Sequence, residues 1–563
     1  MGGILMGLIE CFPFLAHVAR GKWMAFYAAM MVMVGAGTIY VYPSYSQQIK
    51  HTLRYDEAGM SKISYSRLLG QCLGVFNGII VELIPAWLGL FLGAVMNLGG
   101  YFPTWLAVTG QIPRPKVWQM CFYIAVATNS VNFTQTIAIV SSVNNFPMNR
   151  GVVVGLLKGA LGLSGAIITQ FCYGIYGHDA KGGLLLICAL LPASVSLLFM
   201  FTVRNIVKNI GRQPNELRVF LSFFYFTILL ALFLMVTMLL EEFKIDHQTQ
   251  AAAAHTKTAI VMVVITLLFL PFILVIKEEA TIWKQVIVEK LPQALLKMPV
   301  VDSSSTTQHN NRSISSCFAN IFKNKPERGE DHTILQAILS ADMFYIIMLS
   351  LCGYGSAITF NEQLRPIGLA LQYHKRLIES VIPLMSIWNY YGRVYSGFVS
   401  ELLLTKWKLS RSIMMSALLL MQCFGLLLIA FPISPNTYYV ASVILGFTYG
   451  GQITLILCMT LELFGTKHTA TLFNISKLVH PLWKYLFNTK LTQFLYAREA
   501  AKNVPHGRMD ASTLKDLTCT GTHCFRGSFS ILAAIAFIGA LVSLRFARRT
   551  REFYQGDIYK RFR

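Results

Sequence analysis

Lys158 is the residue of this sequence best placed to do chemistry, because it lies deep inside an apolar segment. It follows Arg150 by eight positions, about 12 Å along a helix that rises 1.5 Å per residue. A lysine at that depth is costly to bury in a membrane and by default indicates a functional site. The alternative is structural, with the amine reaching a polar boundary or backbone carbonyls. No acidic residue lies within one helical turn of Lys158, so a bound anion is a candidate counter-ion.

A second lysine, Lys477, follows Lys158 by 319 positions (477 − 158), close to the offset of an internal repeat in this chain. The two lysines are therefore predicted to occupy equivalent depths of two similar helices. Together they would form a cationic site near the middle of the membrane, suited to a carboxylate or another anion.

Three amide side chains lie on one face of the apolar segment before Lys158. Asn129, Asn132 and Gln135 recur every three residues, which places them on one side of a helix. Gln452 matches Gln135 in the repeat, so we expect these two glutamines to face each other across a cavity. The alternative role for each amide is hydrogen bonding between helices, which is common for polar residues in membranes.

Arg393 is a cation inside an apolar segment of the second half, with Asn389 one turn before it on the same helix face. The two side chains could clamp an anion together. Arg393 also precedes Gly397 and Glu401, which form a Gly-x-x-x-Glu element at the end of that segment. This position favours a role for Arg393 in a conformational gate.

The same Gly-x-x-x-Glu element occurs in the first half as Gly78 and Glu82. We predict that both elements belong to the gate, together with Arg393 and Arg150. Since Glu82 and Glu401 lie at the ends of helices, we expect them to pair with loop cations rather than with a substrate.

Glycines in the segment of Lys158 could suggest a nucleotide-binding loop, but no strand precedes them. Small residues spaced by three or four positions instead favour close packing of helices; here they are Gly155, Gly159, Gly162 and Gly165. The sequence contains no Walker lysine motif, no Ser/His/Asp set and no metal-ligand spacing. We therefore expect no enzyme activity, no metal and no cofactor.

An internal repeat defines the elements that hold these residues. Residues 75–83 read VFNGIIVEL and residues 394–402 read VYSGFVSEL, and Tyr42 and Ile49 match Phe360 and Ile367 at an offset of 318 positions. Parallel repeats built of membrane helices predict a major facilitator fold, with two six-helix bundles and a site between them.

The composition agrees with a membrane protein. Of the 563 residues 55% are hydrophobic and 13% are charged, against roughly 25% charged in soluble domains. Lipid must then be the solvent, and apolar segments near twenty residues long predict an all-α polytopic protein. The net charge of +22 comes from residues in loops and tails rather than from one basic face, so we expect no nucleic-acid partner.

Hydropathy predicts about fourteen spans, with a pair of extra helices between the repeats. The predicted spans are 22–45, 66–84, 86–108, 116–141, 150–175, 183–203, 218–240, 258–277, 334–360, 378–403, 411–431, 436–461, 465–487 and 525–547. The predicted domains are an interfacial segment at 1–21, the first bundle at 22–203, two additional helices within 204–277, a disordered linker at 278–332, the second bundle at 333–547 and a basic tail at 548–563.

An even number of spans places both termini on one side of the membrane. The basic tail and the lysine-rich central tract fall on that same side, which the positive-inside rule predicts to be the cytoplasm. Cys519 and Cys524 share a polar loop on the opposite side, where a disulfide could form.

Several long motifs resemble the plant nodulin-like major facilitator family of the nuclear-fusion-defective type. They are NFPMNRGVVVGLLKG at 145–159, LYAREA at 495–500 and FYQGDIY at 553–559. The resemblance extends over nearly the whole chain and implies a multi-pass plant membrane protein. The chain departs from the family pattern at 480–485, which reads HPLWKY where the family tends to have small residues.

We predict a secondary-active transporter that moves a small solute by alternating access, with a small organic anion as the favoured substrate class. Protons are a candidate coupling ion, with Asp342 and His480 as candidate proton carriers. The alternative is a transport-inactive sensor or scaffold of the same fold. The expected partners are the solute, protons and the lipid bilayer, and we expect a monomer.

Overall fold

Helices form the regular secondary structure of all described residues, as an apolar chain requires when lipid offers no partner to backbone groups. The computed structural model describes residues 13–177, 182–206, 215–243, 250–293, 326–502, 519–556 and 558. Among these residues, nine helices are long and apolar enough to cross a membrane. The predicted all-α polytopic class is confirmed.

The first half contains six helical passes. Its helices are α1 (Lys22–Gly35), α2 (Tyr42–Leu53), α3 (Glu57–Cys72), α4 (Gly74–Leu83), α5 (Ala86–Val108), α6 (Val117–Asn145), α7 (Arg150–Tyr176) and α8 (Gly183–Phe199). The pairs α1–α2 and α3–α4 each form one interrupted pass.

Two further helices follow, α9 (Glu216–Phe243) and α10 (Gln250–Gln293). They pack on the first half through aromatic contacts, since the ring of Phe220 lies 5.1 Å from Trp23 and 5.2 Å from Phe26. Helix α9 also reaches the second half, where the hydroxyl of Tyr390 donates a 2.8 Å hydrogen bond to Thr227. Helix α9 therefore lies at the boundary of the two halves.

The second half repeats the arrangement. Its helices are α11 (Ile334–Ile338), α12 (Ala341–Leu349), α13 (Gly355–Ala370), α14 (Lys375–Trp407), α15 (Arg411–Ala430), α16 (Pro435–Phe464), α17 (Thr469–Lys477), α18 (Val479–Trp483), α19 (Gln493–Lys502), α20 (His523–Arg549) and α21 (Arg551–Gln555).

The structure differs from the prediction at the start of the central tract. Helix α10 continues beyond position 277 to Gln293, so the first part of the predicted disordered linker is helical. The carboxylate of Glu279, which is 1% exposed, accepts a 2.9 Å hydrogen bond from the backbone N–H of Trp23, the second residue of α1. This carboxylate satisfies a free N–H group at a helix start and holds the extension in place. Residues 294–325 of the predicted linker lie outside the described residues, as do residues 1–12 of the predicted interfacial segment.

Alternation of the passes assigns each connection to one of two faces. We name as the terminal face the side that carries the connections α4–α5, α6–α7, α14–α15 and α16–α17 and the end of α20. The other side, with the connections α2–α3, α5–α6 and α13–α14, is the opposite face. The disulfide between Cys519 and Cys524 lies at the start of α20, and hence on the opposite face.

Candidate functional site

A cavity of about 90 Å³ lies between the two halves. Helices from both halves line it, as the parallel repeat predicts. The polar lining residues of the first half are Tyr40, Gln71, Thr128, Asn132, Gln135 and Lys158, and those of the second half are Ser350, Tyr354, Arg393, Ser476 and Lys477.

Lys158 and Lys477 approach the cavity from opposite halves and share an aromatic neighbour. The Nζ of Lys158 lies 4.9 Å from the ring centre of Phe473, and the Nζ of Lys477 lies 4.0 Å from it. The Lys158 side chain, in a residue only 2% exposed, donates a 2.9 Å hydrogen bond to Gln135. Lys477 donates one of 3.1 Å to Asn474. Both contacts are to neutral amides, so neither hydrogen bond supplies a counter-charge.

Arg393 brings a third cation to the cavity and joins the halves. From α14 its guanidinium donates a 2.8 Å hydrogen bond to the carbonyl of Lys158 and one of 2.9 Å to the hydroxyl of Tyr40. Its Nε has no hydrogen-bond partner among the described residues. Arg393 therefore helps to position the backbone of α7 beside Lys158 and adds positive charge to the site.

The cavity lining carries a single sign of charge. Of the described residues that line it, three are cationic and none is a carboxylate. In surroundings of low dielectric this charge is strongly unfavourable unless an anion balances it.

Interrupted helices supply much of the lining. A 3₁₀ turn at Gly37–Ile39 separates α1 from α2 beside Tyr40, and a π-helical segment at Ser350–Tyr354 separates α12 from α13. In addition, α17 ends at Lys477 itself. Membrane helices that are broken at mid-depth commonly form the binding sites of transporters. The hydropathy pattern did not reveal these breaks, although the matched glycines Gly35 and Gly353 stand close to two of them.

The first Gly-x-x-x-Glu element contacts the second half at the terminal face. A Cβ at Gly78 would lie 2.7 Å from the Cα of Thr471, so only glycine allows this approach of α4 to α17. Glu82 accepts a 2.8 Å hydrogen bond from Thr471 and lies 2.5 Å from His468.

The second element makes the symmetry-related contact. A Cβ at Gly397 would lie 2.5 Å from the carbonyl oxygen of Gly151, at the start of α7. Glu401 accepts a 2.8 Å hydrogen bond from the N–H of Gly151 and pairs with Arg411 at 2.7 Å. Together Gly78, Glu82, Gly397 and Glu401 with these partners form what we name the terminal-face gate. Arg150 is buried at the same helix start.

Two family models match the chain, one described as Nodulin-like over residues 22–276 and one described as the NFD4 C-terminal domain over residues 344–556. Together they account for most of its length. The first part of the chain is therefore similar to the nodulin-like family, and the second part is similar to the C-terminal domain of NFD4. The curated protein NUCLEAR FUSION DEFECTIVE 4 of Arabidopsis thaliana is 21% identical to it over 552 residues, which are 95% of this chain and 89% of that protein.

Solved structures show the same fold for this nodulin-like protein. The proton:xylose symporter XylE matches with a TM-score of 0.55 and 11% identity over 93% of this chain and 95% of that one. The transporter FucP in its outward conformation matches with a TM-score of 0.50 and 11% identity over 93% and 99% of the two chains. The predicted major facilitator fold is thereby confirmed.

Three of the predicted amide ligands lie away from the cavity of the nodulin-like protein. Gln452 does not face Gln135 but donates a hydrogen bond to Gln422 inside the second half. Gln422 in turn donates to the carbonyl of Gly353 at 2.9 Å. Since Gln422 on α15 accepts its hydrogen bond, Gln452 joins helices within the second half, which was the alternative role.

Asn129 and Asn389 also depart from the predicted cavity positions. The Oδ1 of Asn129 accepts a 2.8 Å hydrogen bond from Asn77, which ties α6 to α4. Asn389 is not among the residues that line the cavity, and its buried Oδ1 has no hydrogen-bond partner among the described residues. Its backbone carbonyl lies close to Gly450 on α16. Asn132 alone of the first-half asparagines lines the cavity, and it donates to the carbonyl of Gln71 at 3.0 Å.

The candidate proton carriers receive no support from their positions. Asp342 pairs with Arg328 and Arg549, each at 2.7 Å, at the terminal end of the second half and not at the cavity. The side chain of His480 lies outside the described residues.

Proposed function

We propose that this protein is a secondary-active transporter that moves a small organic anion between the two faces by alternating access. The main support for this proposal is the charge of the cavity. Lys158, Lys477 and Arg393 all line it, and no described lining residue is acidic. The proposal keeps the predicted roles of Lys158, Lys477, Gln135 and Asn132 in substrate binding. The proposal no longer includes Gln452, Asn129 and Asn389 among the substrate-binding residues.

The surroundings of the two lysines favour an anionic rather than a neutral ligand. The hydrogen bonds and ring contact of Lys158 and Lys477 orient their amines but do not neutralise them. A charged amine buried in a membrane protein needs a partner of opposite charge or dense hydrogen bonding. A carboxylate between Lys158 and Lys477 would meet that requirement for both halves at once.

The size of the cavity favours a small solute. Its volume of about 90 Å³ has room for several waters at roughly 10–15 Å³ each. Phe473 and Leu161 add apolar surface beside the cations. This combination suits a compact carboxylate with a short apolar part.

The two Gly-x-x-x-Glu elements support alternating access. Each brings a helix of one half against the start of a helix of the other half without the bulk of a side chain. Contacts of this kind have to separate when the site opens toward the terminal face. The structural neighbour XylE is a proton:xylose symporter, and we extend this to proton coupling or anion exchange as the energy source here.

Uptake into proteoliposomes tests the proposal. Purified protein is reconstituted and offered radiolabelled mono- and dicarboxylates, together with neutral sugars and organic cations of similar size. We expect uptake of at least one carboxylate and none of the cations. The matched control is the double variant Lys158→Gln with Lys477→Gln, which removes the positive charge and keeps hydrogen-bonding side chains.

Two results would contradict the proposal. If a neutral sugar is taken up in preference to carboxylates, and the double variant takes it up equally well, the substrate is not an anion. Anion-dependent thermal stabilisation without uptake or exchange under any gradient would favour the sensor or scaffold alternative.

A further inference from the structure

A cluster of three charged residues lies between the cavity and the opposite face. None of the three belongs to the proposed binding site. Glu362 on α13 of the second half lies 3.6 Å from Arg67 on α3 of the first half. The same carboxylate lies 3.1 Å from Lys484, in the π-helical segment Lys484–Thr492 that follows α18. Arg67 and Lys484 are each 12% exposed and Glu362 is 32% exposed, so the cluster is partly shielded from water.

The cluster is directly connected to the cavity lining. Leu68 follows Arg67 and lines the cavity, and Pro481 precedes Lys484 by three positions and lines it as well. The Arg67 guanidinium lies 4.4 Å from the centre of the Tyr42 ring, which packs against it. Nearby, the hydroxyls of Tyr65 and Thr489 make a second contact between the halves at 3.2 Å.

We propose that Arg67, Glu362 and Lys484 form an opposite-face gate, in which the Glu362 carboxylate ties the first half to the second and closes the cavity on that side. The Glu362 carboxylate lies between two cations and offsets their repulsion across the boundary. The terminal-face gate closes the other side through Glu82 and Glu401, so the cavity lies between two gates held by carboxylates of opposite halves.

The gate also has a consequence for an anionic substrate. Arg67 and Lys484 bind a carboxylate in the closed state, and an arriving carboxylate has the same chemistry as Glu362. Competition between the two for Arg67 and Lys484 would release the gate as the substrate enters. This step depends on the proposed anion transport, whereas the closure itself depends only on the geometry.

A native cysteine reports on the gate without any substrate. Cys72 lines the cavity and is half-buried. In protein held in lipid nanodiscs, where both faces are accessible, the rate at which a charged methanethiosulfonate reagent modifies Cys72 measures access to the cavity. The rate is read by mass spectrometry of the Cys72 peptide, and the variant Cys72→Ala gives the background.

Glu362→Gln keeps the size of the side chain and removes its charge. We expect modification of Cys72 to be up to about fivefold faster, since a partly exposed ion pair contributes up to ~1 kcal/mol, about a factor of five. The matched control is Glu552→Gln on the terminal face, which should leave the rate unchanged. The exchange of Arg67→Glu with Glu362→Arg restores a pair across the boundary and should return the rate toward that of the wild type.

The proposal is overturned if Glu362→Gln lowers the thermal midpoint while the Cys72 rate stays at the wild-type value, because Glu362 would then only stabilise the second half. If Glu362→Gln does not fold, Arg67→Gln breaks the same contact from the other side and carries the same expectation. Failure here would leave the anion proposal intact, since no substrate is present in the assay.

Discussion

Lys158 is the residue on which substrate binding depends most directly. Its amine has a neutral amide and an aromatic ring as neighbours. The guanidinium of Arg393 donates a hydrogen bond to the backbone carbonyl of Lys158. The backbone of α7 is therefore held in position at Lys158. The amide and the ring do not compensate the charge of the Lys158 side chain. A residue placed in this way can lose its charge without losing the fold.

Lys158→Gln is expected to weaken binding of the transported anion by about 10- to 100-fold, because a hydrogen bond to a charged group contributes roughly 1.5–3 kcal/mol. Lys158→Arg keeps the charge with a different geometry and should weaken binding less. Anion-dependent thermal stabilisation of the purified protein measures both effects. Lys406→Gln, at an exposed position of α14, serves as the control. Normal binding and uptake by Lys158→Gln would leave Lys158 a structural residue.

Gln135 and Gln452 match in the repeat but are expected to respond differently to truncation. Gln135→Ala removes the acceptor that orients Lys158, so anion affinity should fall. Gln452→Ala leaves Gln422 without that partner in the core of the second half, which should cost roughly 1–3 kcal/mol of stability and leave anion affinity within twofold. Thermal unfolding with and without the anion separates the two effects. Equal loss of affinity in both variants would place Gln452 at the site after all.

At the scale of helices, the contact of α7 with α14 depends on glycine. The Cα atoms of Gly155 and Gly397 approach closely enough that a Cβ at Gly155 would lie 3.0 Å from the Cα of Gly397. The predicted role of Gly155 in close helix packing is confirmed here. The same contact joins the two halves at the terminal face, so packing and gating use the same surface.

Gly397→Val is expected to push α7 and α14 apart and to favour the state that is open at the terminal face. Overpacking of a tight contact costs roughly 1–3 kcal/mol, which is enough to shift a two-state equilibrium several-fold. The reporter is Ala470→Cys, a buried position on α17 beside Phe473, whose modification by a soluble thiol reagent should become faster.

Gly99→Val is the matched control for this substitution. It introduces the same side chain into a membrane helix, but a Cβ at Gly99 has no neighbour within 4 Å. The Ala470→Cys reporter should react in this control as it does in the parent protein. If Gly397→Val and Gly99→Val give the same rate, the contact of α7 with α14 does not control access.

The sequence predicts most helices because their apolar residues are continuous along the chain. It does not predict the breaks at Gly37–Ile39, Ser350–Tyr354 and Lys477, since the segments on both sides remain hydrophobic. It also did not single out Glu362 or Arg67, because neither belongs to a matched pair in the repeat. Their proximity arises only when α3 and α13 are packed together.

Symmetry of the repeat predicts positions in the fold better than it predicts side-chain partners. Lys158 and Lys477 both reach the cavity, as their equivalence suggests. Gln452 does not, because Gln422 provides a partner on α15 and the amide turns toward it. The repeat therefore constrains the path of the backbone, whereas the hydrogen bonds of matched side chains depend on the neighbours present in each half.

At the scale of the whole molecule, two independent features favour one orientation of the two faces. The terminal face carries exposed arginines at the end of α20, namely Arg545, Arg548 and Arg549, and the positive-inside rule places such residues in the cytoplasm. The opposite face carries the disulfide of Cys519 and Cys524, which requires an oxidising environment outside the cytosol. We therefore expect the terminal face to be cytoplasmic.

Glycosylation tags test this orientation independently of the membrane in which the protein finally resides, because N-glycans are attached only on the lumenal side during synthesis. A tag with an Asn-x-Thr acceptor is inserted after Gln111, in the α5–α6 connection of the opposite face, or after Lys408, in the α14–α15 connection of the terminal face. Both positions are exposed loops. We expect a glycosidase-sensitive increase in mass for the tag after Gln111 and none for the tag after Lys408. The reverse pattern would invert the topology, and it would require the disulfide to form in the cytosol and the arginines to face the lumen.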